Sequence, residues 1–192
     1  CNVEPSAVIQ SIDVPSIYEV PLKMQQQKLD EIVLQKTGMP IKSTPELKPW
    51  KEFLARMKNA TESVRIGLVG KYVELPDAYK SINEALFQAA TYNDHKLDLK
   101  LIHSEKINKD NVEEMLGSMD GIIIAPGFGQ RGIEGKFIAL KYAREHDVPT
   151  FGICLGMQCM VIEFARDVLG YADANSTEME VSTNHNVIDL ME

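Results

Sequence analysis

The sequence predicts an α/β fold, with a parallel sheet covered by helices on both faces, over residues 64–192. From Val64 onward, short apolar runs alternate regularly with amphipathic helical stretches. The runs are apolar at almost every position, as in Gly121-Ile-Ile-Ile-Ala125, which indicates strands that are buried on both sides. Strands that alternate with helices in this way are typical of parallel sheets, because each crossover between parallel strands needs a long connection.

Local patterns justify each element in turn. Apolar runs predict four strands, at 64–69, 97–103, 121–125 and 150–154. Apolar positions spaced three and four residues apart predict four helices, at 77–93, 108–116, 134–145 and 156–169. In the first of these helices Ala78, Ile82 and Leu86 share one face, which we expect to pack against the sheet.

Residues 1–40 form a separate segment that is too short to build a hydrophobic core by itself. Its helical stretch at 23–36 ends at Gly38 and Pro40. Strand-like runs precede this stretch, at 7–9, 12–14 and 17–22. We interpret the segment as the tail of a preceding domain. Residues 41–63, which combine prolines and lysines with a polar helix near 50–60, are predicted to be a linker.

The two chain ends indicate a piece of a longer chain. The first residue is Cys1 rather than Met, and Glu192 follows a strand-like run with no closing helix. We therefore expect the domain at 64–192 to be truncated, with its sheet incomplete at the C-terminal end.

Composition excludes several classes of function. The net charge is −8, from 20 basic and 28 acidic residues, and no basic cluster is present to bind a nucleic-acid backbone. No apolar run reaches the roughly 18–20 residues of a membrane span, and residues at the start of the sequence lack the charged-then-apolar layout of a signal peptide. Three cysteines match no zinc or disulfide framework. We therefore expect a soluble, cytoplasmic protein that binds neither nucleic acid nor membrane.

The clearest chemical signal is Gly152-Ile-Cys154-Leu-Gly156, where the last predicted strand runs directly into a helix. The glycines allow the strained turn of a nucleophile elbow, with Cys154 in place of the usual serine. The positive end of the helix favours the reactive thiolate. The alternative is that Cys154 is a small buried apolar residue, which is our prediction for Cys159.

A second motif, Pro126-Gly-Phe-Gly-Gln-Arg-Gly132, contains G-x-G-x-x-G between a strand and a helix. A dinucleotide site also needs an acid at the end of the next strand, whereas Asp147 precedes that strand. We expect the loop to direct backbone N–H groups toward Cys154 and to form an oxyanion hole with the N–H of Leu155. The alternative is a glycine-rich turn without a ligand. The stretch 69–72 fails as a phosphate loop, because it lacks the first glycine and the hydroxyl residue.

A catalytic cysteine needs a base. The chain contains four histidines, His95, His103, His146 and His185. None has a metal-spaced partner, so we predict no metal site. Because His185 follows Cys154 in a polar segment, it is the positional candidate for the base, with a surface role as the alternative.

With Gly152-Ile-Cys-Leu-Gly-Met-Gln158 beside Pro126-Gly-Phe-Gly129, the sequence resembles the triad class of glutamine amidotransferase domains, which implies a flavodoxin-like fold. Within that class it is similar to the CTP synthase family over essentially all 192 residues. Further motifs carry the narrower resemblance: Cys1-Asn-Val3, Asp13, Ile17-Tyr18, Gly70-Lys-Tyr72, Leu75-Pro-Asp-Ala-Tyr-Lys-Ser81, Arg131-Gly-Ile-Glu-Gly-Lys136 and Asn175-Ser-Thr-Glu178.

The resemblance implies a glutamine-dependent ligase. In the family, an amidoligase domain uses ATP and Mg²⁺ to activate UTP, and the glutaminase domain hydrolyses glutamine and passes ammonia to it. GTP as an activator and a homotetramer are also implied. Residues 1–40 would then be the tail of the amidoligase domain and residues 64–192 the glutaminase domain. No site for ATP or Mg²⁺ is expected within this chain.

The resemblance also implies roles for individual residues. Cys154 would form the glutamyl thioester, the N–H groups of Gly127 and Leu155 would hold the oxyanion, and Glu178 would bind the α-ammonium group of glutamine. The implied glutamine-binding residues are Gly127, Leu155, Gly156, Met157, Gln158 and Glu178.

The sequence departs from the family pattern at three points. The family's catalytic His-Pro-Glu motif and its glutamine-binding arginine come after the last residue given, and His185 does not match that histidine, so we withdraw it as the base. The usual Pro-Gly-Gly-Phe-Gly reads Ala125-Pro-Gly-Phe-Gly129. Two other interpretations stay open: an elbow-type cysteine hydrolase that acts on peptides or small molecules, and a non-catalytic folding or oligomerisation module.

Overall fold

The computed structural model describes residues 2–75 and 77–189. The expectations placed on Cys1 and on the chain end at 190–192 lie outside the described residues. The chain divides into two compact units, residues 1–59 and 60–192. Among the described helices, none has the length and apolar character needed to cross a membrane.

The first unit is built from short helices. Its elements are two 3₁₀ turns, Pro5–Ala7 and Ile17–Glu19, followed by α1 (Val20–Gln26), α2 (Leu29–Lys36) and α3 (Lys48–Asn59). Aromatic rings connect the first part of this unit to α3. The Tyr18 and Phe53 ring centroids lie 5.3 Å apart, and Trp50 Nε1 donates a hydrogen bond to the carbonyl oxygen of Tyr18 at 2.8 Å.

The strands predicted before residue 23 are wrong, since the structure describes no strand between residues 2 and 59. A strand needs a partner for its backbone groups, and this unit supplies none. Pro21, whose missing N–H suits the first turn of a helix, lies at the start of α1 instead. The single helix predicted at 23–36 is divided at Lys28, which has a left-handed φ of 61°. The assignment of residues 1–40 to a domain tail and of 41–63 to a linker stays a prediction.

The second unit contains the predicted alternation of strands and helices. Its strands are β1 (Glu62–Gly70), β2 (His95–His103), β3 (Gly121–Ile124), β4 (Thr150–Gly152), β5 (Asn175–Ser176) and β6 (Asn186–Ile188). Its helices are α4 (Lys80–Tyr92), a 3₁₀ turn at Ser104–Lys106, α5 (Val112–Leu116), α6 (Ile133–Glu145) and α7 (Leu155–Asp167).

The main sheet has the strand order β2-β1-β3-β4, and all of its pairings are parallel. This order is flavodoxin-like, so the predicted fold class is confirmed. The strands β5 and β6 form a separate two-stranded parallel sheet.

Side chains alternate between two cores on opposite faces of the sheet, as strand geometry requires. In β1, Val69 packs with the core that includes α6 and α7, whereas Leu68 belongs to a second cluster with Tyr79. Both Leu68 and Val69 have no exposed surface. The sheet is therefore covered on both faces, as the continuous apolar runs predict.

Candidate active site

The candidate site lies at the carboxyl edge of the main sheet. Because β1, β3 and β4 are parallel, the residues that follow them come together at one edge. These residues are Lys71 after β1, the loop 125–132 after β3, and Cys154 after β4. From β1 the chain adds β2 on one side of the sheet and then β3 and β4 on the other. Open α/β sheets bind their ligands at the point where the strand order reverses in this way, which lies here between β1 and β3.

Cys154 has the backbone of an elbow. It immediately precedes α7, with φ 53° and ψ −111°, a conformation that non-glycine residues seldom adopt. Two bonds hold the turn: Ile153 N–H donates to the carbonyl oxygen of Ile124 at 3.0 Å, and Gly156 N–H donates to that of Ile153 at 2.8 Å. The Cys154 side chain is exposed, which argues against a buried structural role.

The two flanking glycines are required by close backbone contacts. A Cβ at Gly152 would lie 2.5 Å from the backbone nitrogen of Met157. A Cβ at Gly156 would overlap the carbonyl oxygen of Ile124 and lie 2.8 Å from its carbonyl carbon. The start of α7 therefore packs directly on the ends of β3 and β4, which places Cys154 at the N-terminus of the helix.

Cys159 lies in the core, as predicted. Its side chain is fully buried, and burial raises the pKa of its thiol to about 11. The thiolate is the nucleophilic form of cysteine. Cys159 is therefore both shielded and unreactive near neutral pH.

We expect a glutamine-like electrophile to alkylate Cys154 and to leave Cys159 unmodified. Exposure at a helix N-terminus favours the reaction at Cys154, whereas burial and a raised pKa oppose it at Cys159. Mass mapping of the labelled peptides measures this difference. Cys159→Ala serves as the control and should label normally, whereas an adduct on Cys159 with Cys154 intact would contradict the prediction.

The structure brings the predicted oxyanion-hole residues together. A Cβ at Gly127 would lie 3.7 Å from Leu155 Cδ2 and 3.5 Å from Lys71 Cε. Leu155 is the first residue of α7, and the first N–H groups of a helix have no acceptor within it. The N–H of Gly127 therefore lies in the loop after β3, and the N–H of Leu155 lies at the start of α7, next to Cys154. Phe128, at the tip of the loop, is 78% exposed.

The predicted glutamine-binding residues fall into two groups. Gln158 and Glu178 line one cavity of about 460 Å³, together with Ser176 and Thr177. Gly127, Leu155, Gly156 and Met157 do not line it, and they lie instead around the elbow. Gln158 Oε1 is buried without a hydrogen-bond partner among the described residues, so it is an acceptor that a ligand in the cavity can use.

Other contacts hold the wall of this cavity. Gln130 Nε2 donates to the carbonyl oxygen of Met179 at 2.7 Å, which ties the glycine-rich loop to the segment that carries Glu178. Thr177 Oγ1 bonds Asp189 Oδ1 at 2.6 Å. The glycine-rich loop therefore contacts both Cys154's helix and the cavity segment.

His185 is engaged elsewhere. Its Nδ1 lies 2.5 Å from Asp173 Oδ1, and its ring stacks on Tyr171 with centroids 4.5 Å apart. The hydrogen bond from His185 lowers the pKa of Asp173 to about 2. A carboxylate on Nδ1 also orients the histidine of a catalytic triad, so the withdrawal of His185 as the base rests on the resemblance and stays a prediction.

Sequence reasoning missed two buried lysines at the site, Lys71 and Lys136. Lys71 stands in the stretch that failed as a phosphate loop. Lys136 follows Ile133 by three residues and precedes Phe137 and Leu140, all of them buried on α6. A lysine on an otherwise apolar helix face was the available signal.

Comparisons with known proteins show the family of the chain. The family model of class-I glutamine amidotransferases matches residues 74–190. Proteins named CTP synthase match all of this chain, with 66% identity in Bacteroides fragilis, 64% in Porphyromonas gingivalis and 57% in Flavobacterium johnsoniae. The chain spans 36% of the length of these relatives.

A solved structure is also similar. It is the Trypanosoma brucei CTPS glutaminase domain with bound acivicin, which matches with a TM-score of 0.64 and 37% sequence identity. The match covers 68% of this chain and 51% of that chain.

Proposed function

Because the chain belongs to the class-I glutamine amidotransferase family, we propose that it is the glutaminase part of a CTP synthase. It hydrolyses glutamine through a thioester on Cys154 and supplies the ammonia for ATP-dependent amination of UTP to CTP. The observation that carries the proposal is the strained, exposed elbow of Cys154 at the N-terminus of α7.

The chemistry follows from that geometry. The Cys154 thiolate attacks the γ-amide carbon of glutamine, a C–S bond forms, and the carbonyl π electrons move to the oxygen. The N–H groups of Gly127 and Leu155 stabilise this oxyanion. Collapse of the intermediate breaks the C–N bond and releases ammonia as the nitrogen takes a proton. Water then hydrolyses the thioester to glutamate and restores the thiol.

The start of α7 stabilises the negative charges that form during the reaction. Its unpaired N–H groups and positive dipole end favour a negative charge at Cys154 before attack and on the oxyanion afterwards. We assign the base that takes the thiol proton to no described residue, because His185 does not match the catalytic histidine of the family.

The cavity beside the elbow is the proposed site for the amino-acid end of glutamine. Glu178 is an exposed carboxylate at its wall and has the charge to bind an α-ammonium group. Gln158, in the first turn of α7, belongs to a different segment of the chain and offers its buried Oε1. The cavity and the elbow thereby share one helix, which lets one ligand reach both.

We expect Glu178→Gln to raise KM for glutamine by about tenfold to a hundredfold, the range for one lost hydrogen bond to a charged group. The value of kcat should change much less, since Glu178 is proposed to contact the end of the substrate that does not react. Steady-state kinetics of glutamate formation measure both constants. Glu180→Gln is the matched control, because Glu180 bonds Ser182 instead. An unchanged KM in Glu178→Gln would contradict the assignment.

The other partners belong to the proposed enzyme as a whole. No group of three or more His, Cys, Asp or Glu side chains suited to a metal occurs among residues 2–75 and 77–189. We propose that Mg²⁺ and ATP bind the amidoligase domain of the longer protein, as the resemblance to the family implies. UTP as substrate, GTP as activator, a homotetramer and a cytoplasmic location complete the proposal.

The test uses an enzyme of the full length of the relatives, supplied with glutamine, ATP, UTP and Mg²⁺. We expect CTP to form together with glutamate. Cleavage of peptide amides without glutamine hydrolysis would favour the elbow-type cysteine hydrolase. Failure to hydrolyse either substrate, in a folded protein, would favour the non-catalytic module.

A further inference from the structure

Two lysine ammonium groups are buried against the loop that carries Gly127. Lys136, in the first turn of α6, is 1% exposed, and its Nζ donates a hydrogen bond to the carbonyl oxygen of Ala125 at 2.7 Å. Lys71 is 7% exposed, and its Nζ donates to the carbonyl oxygen of Phe128. The two hydrogen bonds therefore hold the loop on both sides of Gly127.

A buried ammonium group is costly for a fold. A methionine of similar length would fill the same space without the loss of hydration that a charge suffers. Burial lowers the pKa of Lys136, and the ammonium group of Lys71 also lowers it, whereas the thiols of Cys159 and Cys154 raise it. Lys136 thus places a hydrogen-bond donor behind the loop, at a position where packing alone would favour an apolar residue.

The bonds made by the lysines restrict the direction of one N–H group. The peptide unit between Pro126 and Gly127 carries this N–H, and the proline ring limits the φ angle of Pro126 to about −65°. Lys136 holds the carbonyl group immediately before Pro126. The stem of Lys71 packs 3.5 Å from the position of a Cβ on Gly127. The direction of the Gly127 N–H is then set by ψ of Pro126 and φ of Gly127, and the two lysines hold the carbonyl groups on either side of these angles.

We propose that Lys136 is a positioning residue of the oxyanion hole. Together with Lys71, it holds residues 125–128 so that the N–H of Gly127 points at the oxygen that becomes negative. This inference rests on the proposed glutaminase function. Donors held in advance stabilise the transition state more than the bound substrate, so the loss of Lys136 should act on kcat.

The test is Lys136→Met in the full-length enzyme, which keeps the length of the side chain and removes its charge and donor. We expect kcat for glutamine hydrolysis to fall by about 10²–10³-fold, the cost of losing one oxyanion donor, with KM changed by less than about threefold. Ammonia-dependent CTP formation should be unchanged. The control is Lys141→Met on the same helix, since Lys141 is half exposed and pairs with Asp167 at 3.3 Å.

A second readout separates positioning from general damage. An aldehyde analogue of glutamine forms a C–S bond to Cys154, and its carbonyl oxygen becomes an oxyanion in the same hole, taking up the thiol proton if it is not stabilised. We expect Lys136→Met to weaken binding of this analogue by the same factor as it lowers kcat/KM, with little effect on binding of glutamate. Equal losses for the analogue and for glutamate would overturn the inference.

The outcomes are distinguishable from a failure of the proposed function. If the wild-type enzyme hydrolyses no glutamine, the proposed function fails. If it does, and Lys136→Met keeps kcat within about threefold of wild type, only the inference fails. If circular dichroism shows that Lys136→Met is unfolded, Lys71→Met decides the matter. A kcat-specific loss there supports the positioning role, and an unchanged kcat overturns it.

Discussion

We expect Cys154→Ala to abolish CTP formation from glutamine and to leave CTP formation from added ammonia intact. Removing the nucleophile of a catalytic triad costs on the order of 10⁴-fold or more, because its members act as a unit. The side chain is exposed, so its loss leaves no cavity in the core. Alanine also keeps a Cβ at the strained φ of 53°, so the backbone cost of the elbow is the same in both proteins.

The measurement compares the two nitrogen sources in the full-length enzyme. Cys159→Ala is the matched control, because it removes a thiol from the same helix but from a buried position. That variant should lower the stability of the domain while keeping the ratio of the two activities. If Cys154→Ala reduces both activities to the same degree, Cys154 is a structural residue or the two half-reactions are inseparable.

The core of the second unit could be predicted because its strands are buried on both faces. Residues such as Ile122 and Ile124 are fully buried, so every position of the strand is apolar and the apolar run defines the strand. The elbow could also be predicted, since the contacts of Gly152 and Gly156 leave no room for a Cβ. Both are local features that the residue types alone impose.

The features that could not be predicted from the sequence depend on distant parts of the chain. Residues 7–22 contain apolar runs but have no partner strand in their unit, so the local pattern predicted strands where helical turns form. The left-handed Lys28 carries no glycine or asparagine signal. The cavity near Gln158 is built from residues 158, 176–178 and 188–189, which only the folded chain brings together. The partners of Lys71 and Lys136 are backbone carbonyl groups, which have no signature in the sequence.

The contacts of Gly156 lead to a second large expected effect. We expect Gly156→Ala to lower glutamine-dependent activity by about 100-fold or more, while ammonia-dependent activity is kept. The added Cβ would lie 2.8 Å from the carbonyl carbon of Ile124, whereas two carbon atoms approach to about 3.5 Å. The obstacle is backbone in the central strand β3, so it is α7 that must shift, by roughly 1 Å.

That shift moves Cys154 relative to the N–H of Gly127. Cys154 and the N–H of Leu155 stand at the start of α7, whereas Gly127 belongs to the loop after β3. A displacement of about 1 Å between a nucleophile and its oxyanion donors costs on the order of 100-fold in rate. Crowding of this kind also destabilises a domain by about 1–3 kcal/mol, so thermal unfolding should be recorded beside the kinetics.

Gly67→Ala is the matched control for this substitution. The nearest atoms to the same methyl group added in β1 belong to the side chains of Ile102 and Met119, at 3.2 Å, and these can move by a few tenths of an ångström. We therefore expect Gly67→Ala to keep most of the glutamine-dependent activity. If Gly156→Ala is as active as Gly67→Ala, the start of α7 tolerates a shift from β3, and the close packing of the elbow is not what positions Cys154 for attack.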